Sequence, residues 1–182
     1  MRWRIALVWL ATLLYPLAIY LGLNWLEPRS LALLLLAIVS AHAAISRDRV
    51  WLVAAAGALI LVIVTAVANQ ALPLKLYPVL VNAVMLGVFG ISLRHPPSAV
   101  ERIARLREPD FPPSAVAYTR KVTIVWCGFF IVNGGIALAT AVWASDRVWA
   151  TYNGLIAYLL MGLLFAGEWI VRQRVRARAE HG

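Results

Sequence analysis

Long apolar runs alternate with short polar breaks along this 182-residue chain. A helix that crosses the hydrocarbon core of a bilayer needs about 20 mostly apolar residues. Six runs suit that requirement, the second being the shortest: residues 5–26, 30–45, 50–69, 74–93, 119–144 and 148–171. The pattern therefore predicts an all-α integral membrane protein, a single polytopic domain with six transmembrane helices.

The composition strengthens this prediction. Hydrophobic residues make up 63% of the chain and its mean hydropathy is +0.80, whereas a soluble domain is about 45–50% apolar. The first run follows Met1-Arg-Trp-Arg, as in a signal peptide, but it is too long for a signal core and no A-x-A cleavage site follows it. We therefore expect an uncleaved first span. The single cysteine, Cys127, excludes an intrachain disulfide and suits a small apolar helix residue.

The basic residues give the predicted spans an orientation. Of the 17 Lys and Arg residues, fourteen fall on the side that holds both termini, and only Arg29, Lys75 and Arg147 fall on the other. Short loops rich in Lys and Arg mark the cytoplasmic side, so both termini are predicted to be cytoplasmic. The net charge of +9 is spread between apolar runs rather than gathered on a soluble surface, which argues against nucleic-acid binding.

The predicted cytoplasmic loop 94–118 contains the letters PPSAV twice, at 96–100 and 112–116. In the first copy Glu101 follows Ser98 by three residues, which is the spacing of a capping box at a helix start. The residues beyond it predict a short amphipathic helix that is basic on one face and lies on the cytoplasmic leaflet. The alternative is a solvated loop helix without lipid contact.

A basic cytoplasmic face is predicted around this loop, together with a basic tail at 172–182. Its candidate residues are Arg102, Arg105, Arg107, Arg120 and Lys121. Positive charge at this position suits anionic lipid headgroups, or acidic partners such as acyl carrier proteins.

Polar side chains inside predicted spans are costly and mark candidate sites. Five form the candidate intramembrane polar site: Asn82, Asn133, Tyr152, Asn153 and Glu168. The two interior amides, Asn82 and Asn133, should each face another helix, either to hold helices together or to line a substrate passage. Glu168 precedes Arg172 by four residues, which favours a structural ion pair; a proton or ligand site is the alternative.

Motifs of catalysis are missing from the sequence. It contains no GxSxG, HExxH, glycine-rich phosphate loop or CxxC, and no pair of carboxylates inside predicted spans. We therefore predict no catalytic residue, cofactor or metal, and favour a non-catalytic protein over an enzyme.

Three segments carry a resemblance to known families: residues 77–93, 97–134 and 152–169. They resemble an uncharacterised family of proteobacterial membrane proteins that occurs in gene clusters for aryl polyene pigments. The same half is more distantly similar to the inner-membrane septation protein A family, in which a short basic cytoplasmic helix and a Pro-containing segment precede a W-x-x-FF span. Here that span holds Trp126, Phe129, Phe130, Asn133 and Gly134. The resemblance implies a bacterial inner-membrane protein of cell-envelope lipid or pigment biogenesis, and supplies no catalytic residue.

Two functions follow as hypotheses. The first is an accessory protein that engages anionic lipids, or recruits carrier proteins or pigment-synthesis enzymes, through its basic cytoplasmic face. The second is a transporter or flippase for a lipid-linked product, which would use the intramembrane polar residues.

Overall fold

The computed structural model describes residues 20–21, 27–46, 49–68, 70–106 and 113–180. Within those ranges all regular structure is helical, so the predicted all-α class is confirmed. The predicted first span, 5–26, lies outside the described residues except for Tyr20 and Leu21.

Eight α-helices and one π-helical turn make up the described part. Their bounds are α1 Pro28–Ser46, α2 Arg49–Ala68, α3 Leu72–Lys75, α4 Tyr77–Arg94, α5 Ala99–Arg105, α6 Pro113–Trp143, α7 Asp146–Thr151, the π turn Tyr152–Ile156 and α8 Ala157–Glu180.

Three helical stretches are long and apolar enough to cross a membrane: Leu72–Arg94, Ala115–Trp143 and Asp146–Gln173. They coincide with the predicted fourth, fifth and sixth spans, while α1 and α2 occupy the positions of the second and third. The helix of the fifth span begins earlier than the predicted Thr119. It starts at Pro113, because proline is already set for the first helical position and removes no hydrogen bond there.

Helices α4 and α6 form the main packed pair, and α2 packs on the other side of α4. Glycine allows the close approach on both sides. A Cβ added to Gly134 of α6 would lie 3.0 Å from the Cβ of Asn82, and one added to Gly57 of α2 would lie 2.7 Å from Leu80 Cδ1. A larger residue at Gly134 would therefore press against Asn82, which would have to shift by a few tenths of an ångström.

Two apolar clusters lie at opposite ends of α4. One surrounds Leu74 and the fully buried Trp149, whose indole N–H donates to the Lys75 carbonyl (3.1 Å). In the other, Phe89 packs edge-on against Phe130, with ring centroids 5.2 Å apart, beside Trp126. Asn82 lies between these two clusters along α4.

The short helix predicted between the fourth and fifth spans is present as α5. Glu101 Oε2 accepts from the Ser98 N–H (3.3 Å), which is the carboxylate arm of the predicted capping box. Side chains of the neighbouring helices accept hydrogen bonds from the first N–H groups of α5. Ser92 Oγ accepts from Ala99 (2.8 Å) and Thr123 Oγ1 accepts from Val100 (3.4 Å). These bonds fasten α5 to both α4 and α6.

Candidate functional site

Three of the five predicted intramembrane residues form one chain of hydrogen bonds. The Asn133 side-chain N–H donates to Asn82 Oδ1 (3.1 Å), and the Tyr152 hydroxyl donates to Asn133 Oδ1 (3.0 Å). All three side chains are buried. The chain therefore joins α4, α6 and the π turn at a single three-helix junction.

Local structure sets the direction of this chain. Asn82 Nδ2 donates to the Pro78 carbonyl one turn earlier (2.8 Å), which fixes the amide plane and leaves Oδ1 facing α6. A proline at the second position of α4 stands where the missing N–H costs nothing. Gly134, the residue after Asn133, lets α6 come close enough for the amides to meet.

Asn153 is buried beside this chain but makes its own contacts. Its amide N–H groups donate to the Trp149 carbonyl (2.9 Å) and to Thr140 Oγ1 (3.3 Å). Thr140 is seven residues beyond Asn133 on α6, a rise of about 10 Å on the same side of the helix. The Trp149 carbonyl also accepts from the Tyr152 N–H, so two donors meet it where the helix widens into its π turn. Turns of this kind are frequent at functional sites.

Glu168 lies far from the junction. Sixteen residues of helix separate it from Tyr152, about 24 Å along the axis. The predicted ion pair is present: Arg172 Nε donates to Glu168 Oε1 (3.0 Å) and Arg172 Nη2 donates to Oε2 (2.5 Å). The Tyr118 hydroxyl, 3.2 Å from both the Glu168 carbonyl and Oε1, links α6 to this pair. Sequence reasoning missed Tyr118 because it assigned that residue to the cytoplasmic loop.

The predicted basic face divides into residues with different partners. Arg105 donates twice to Glu101 Oε1 (2.9 and 2.7 Å), so much of its charge is compensated. Arg102 and Arg120 donate to backbone carbonyls at the end of α4. Lys121 is exposed, and Arg107 lies outside the described residues.

Neutral donors and acceptors dominate the junction, and its hydroxyl and amides suit hydrogen bonding rather than proton transfer. In the ranges that the structure describes, no group of three or more His, Cys, Asp or Glu could hold a metal ion. No protein-family model, curated protein or solved structure matches the chain.

Proposed function

We propose that this protein is a non-catalytic, multi-pass accessory protein of the bacterial inner membrane, and that it acts through the cytoplasmic face around α5. The observation that carries the proposal is the attachment of α5. This helix is held by side chains of both neighbouring helices, yet Arg102, Arg105 and Ile103 are exposed on it, and its C-cap Leu106 is exposed as well. A fixed helix with an exposed basic and apolar surface suits a contact at the membrane interface.

We propose that the protein has six spans with both termini in the cytoplasm. The distribution of basic residues supports it, because all but three of the 17 Lys and Arg residues then lie on the cytoplasmic side. Of those three, Lys75 pairs with Asp146 and so joins α3 to α7 at the opposite end of the packed helices.

The proposed context is biogenesis of cell-envelope lipid or aryl polyene pigment. The resemblance of residues 77–93, 97–134 and 152–169 to the pigment-cluster family supports it. Anionic lipid headgroups, acyl-carrier-type proteins and pigment-synthesis enzymes are the partners whose negative charge suits the basic face.

A deletion strain tests this function. We expect its lipid or pigment profile to change and to be restored by the wild-type gene, but not by a gene that carries Arg102→Glu with Arg120→Glu. The matched control is Arg147→Glu, which reverses an exposed charge at the opposite end. Restoration by the double variant, or an unchanged profile after deletion, would contradict the proposal.

The junction of Asn82, Asn133 and Tyr152 favours a second candidate, a flippase for a lipid-linked product. A polar chain beside a π turn offers hydrogen bonds to a headgroup at mid-membrane depth. In proteoliposomes, Asn133→Leu should abolish translocation of a fluorescent lipid-linked substrate analogue, whereas the exposed control Val132→Leu should retain it. Equal translocation by both variants would show that the junction is not the substrate site of a flippase.

A further inference from the structure

The carboxyl end of α4 is surrounded by positive charge. Helix α4 ends at Arg94, and the last carbonyls of a helix have no partner within it. Arg120 of α6 donates to the Leu93 carbonyl (2.7 Å), while Arg102 of α5 donates to the carbonyls of His95 (3.3 Å) and Pro97 (2.9 Å). Two guanidinium groups from different helices are thus fixed beside one short backbone stretch.

The two guanidinium groups donate to carbonyls of the same five-residue stretch, 93–97. Successive Cα atoms are 3.8 Å apart, so the Cα atoms of Leu93 and His95 are within about 8 Å of each other. A guanidinium has five N–H donors. Within the described residues Arg102 uses two of them and Arg120 uses one. The remaining donors, on exposed side chains held in place, suit an oxyanion such as phosphate.

Among the described residues, no acidic group cancels these two charges. Glu101 is the only carboxylate in 92–106 and 113–123, and it is engaged by Arg105 and by the Ser98 N–H. Arg102 and Arg120 have no carboxylate partner within the described residues. Arg105, which the sequence places on the same basic face, is therefore left out of the site.

Apolar side chains next to this charge point to a lipid as the ligand. Ile103 of α5 is 56% exposed, and Leu106, the C-cap residue of α5, is 85% exposed and lies one turn from Arg102. Further along the two spans, Ile91 of α4 and Ile124 of α6 are also exposed. A phospholipid matches this order, because its phosphate meets the cations and its acyl chains meet the apolar residues. A soluble acidic protein would leave the apolar side chains unmatched.

We propose that Arg102 and Arg120, at the carboxyl end of α4, form a binding site for the phosphate of an anionic phospholipid in the cytoplasmic leaflet. The site rests on the proposed orientation and names the partner of the proposed basic face. Arg102 and Arg120 supply the donors, while Ile103 and Leu106 border the acyl chains.

Native mass spectrometry of the full-length protein in detergent tests the site. Phosphatidylglycerol and phosphatidylcholine are added as competing lipids, and inorganic phosphate is added in a separate series. The wild type should retain phosphatidylglycerol in preference to phosphatidylcholine. Arg102→Gln and Arg120→Gln should each weaken that retention about tenfold, because each removes charge-assisted hydrogen bonds to the phosphate.

The controls separate a site from general attraction. Lys121→Gln removes an exposed charge next to Arg120, and Arg147→Gln removes one at the opposite end; both should change retention less than twofold. Arg120→Lys keeps the charge but loses the planar fork, so it should lose part of the preference even where a Gln variant is unstable. A thermal unfolding curve for each variant reports folding.

Three outcomes would overturn the inference. One is that Lys121→Gln and Arg120→Gln lose phosphatidylglycerol equally, which would indicate attraction by the overall positive charge rather than a site. Another is displacement of the lipid by inorganic phosphate at equal concentration, which indicates a free-anion site. The last is no preference between the two lipids. Lipid preference with an unchanged deletion phenotype would instead refute only the proposed function.

Discussion

The three-helix junction at Asn133 and the α5 end of the packed helices both join helices through polar side chains, but in different ways. At the junction the groups are neutral, buried and bonded to one another. Around α5, the buried hydroxyls of Ser92 and Thr123 fasten the helix, and exposed arginines add bonds to backbone carbonyls at the end of α4. Polar groups without water must satisfy each other, whereas exposed arginines keep donors for a ligand. The contrast suits a stabilising role for the junction, whereas the proposed binding function belongs to the α5 end.

Asn133→Leu should produce the largest loss of stability. It removes both hydrogen bonds of the chain and leaves Asn82 Oδ1 and the Tyr152 hydroxyl buried without these partners. We expect a loss of about 2–4 kcal/mol, since each unsatisfied buried group costs about 1–3 kcal/mol. Thermal unfolding in detergent measures it, with the exposed Val132→Leu as control. If the two variants unfolded alike, the junction would not hold the helices together.

Gly134→Ala should have the next largest effect. The new Cβ would lie 3.0 Å from Asn82 Cβ, tighter than an ordinary contact, so Asn82 must shift by a few tenths of an ångström and strain its hydrogen bond to Asn133. The expected destabilisation is about 1–3 kcal/mol. Gly135→Ala is the matched control, because no atom lies within 4 Å of its added Cβ; it should be neutral or slightly stabilising, since alanine favours a helix. A neutral Gly134→Ala would contradict the close approach.

Glu168→Gln should have the smallest effect. The Glu168 side chain is 11% exposed and its partner Arg172 is 43% exposed, so solvent screens much of the attraction. We expect a loss of about 0.5 kcal/mol at low salt, the usual range for such a pair. Unfolding curves at low and high salt measure it. The stability lost in Glu168→Gln relative to the wild type should shrink as salt rises, while the stability lost in Asn133→Leu should not. The reverse salt dependence would contradict the contrast between the neutral and the charged region.

The apolar pattern was enough to predict the helices of the last three spans. It could not give the start of α6 at Pro113, because hydropathy marks where apolar residues begin and the helix extends further into polar sequence. The Glu168–Arg172 pair was predictable because its spacing lies within one helix.

Contacts between helices were harder to predict. The sequence indicated that Asn82 and Asn133 would each face another helix, but their pairing depends on how α4 and α6 are rotated about their axes. The hydrogen bond between the Val100 N–H and Thr123 Oγ1 joins residues 23 apart in sequence. Arg120 and Arg102 donate to backbone carbonyls at the end of α4, and every residue has such a carbonyl, so the sequence does not mark these partners. For this reason Arg105 and Arg120 looked equivalent in sequence but have different partners.

The orientation of α5 is the claim on which the binding account most depends, and cysteine labelling measures it directly. In a Cys127→Ala background, Leu106→Cys and Arg147→Cys place one thiol on an exposed position at each end. With a membrane-impermeant maleimide on intact spheroplasts, Arg147→Cys should be labelled, and Leu106→Cys should be labelled only after permeabilisation. Labelling of Leu106→Cys from outside would contradict the account.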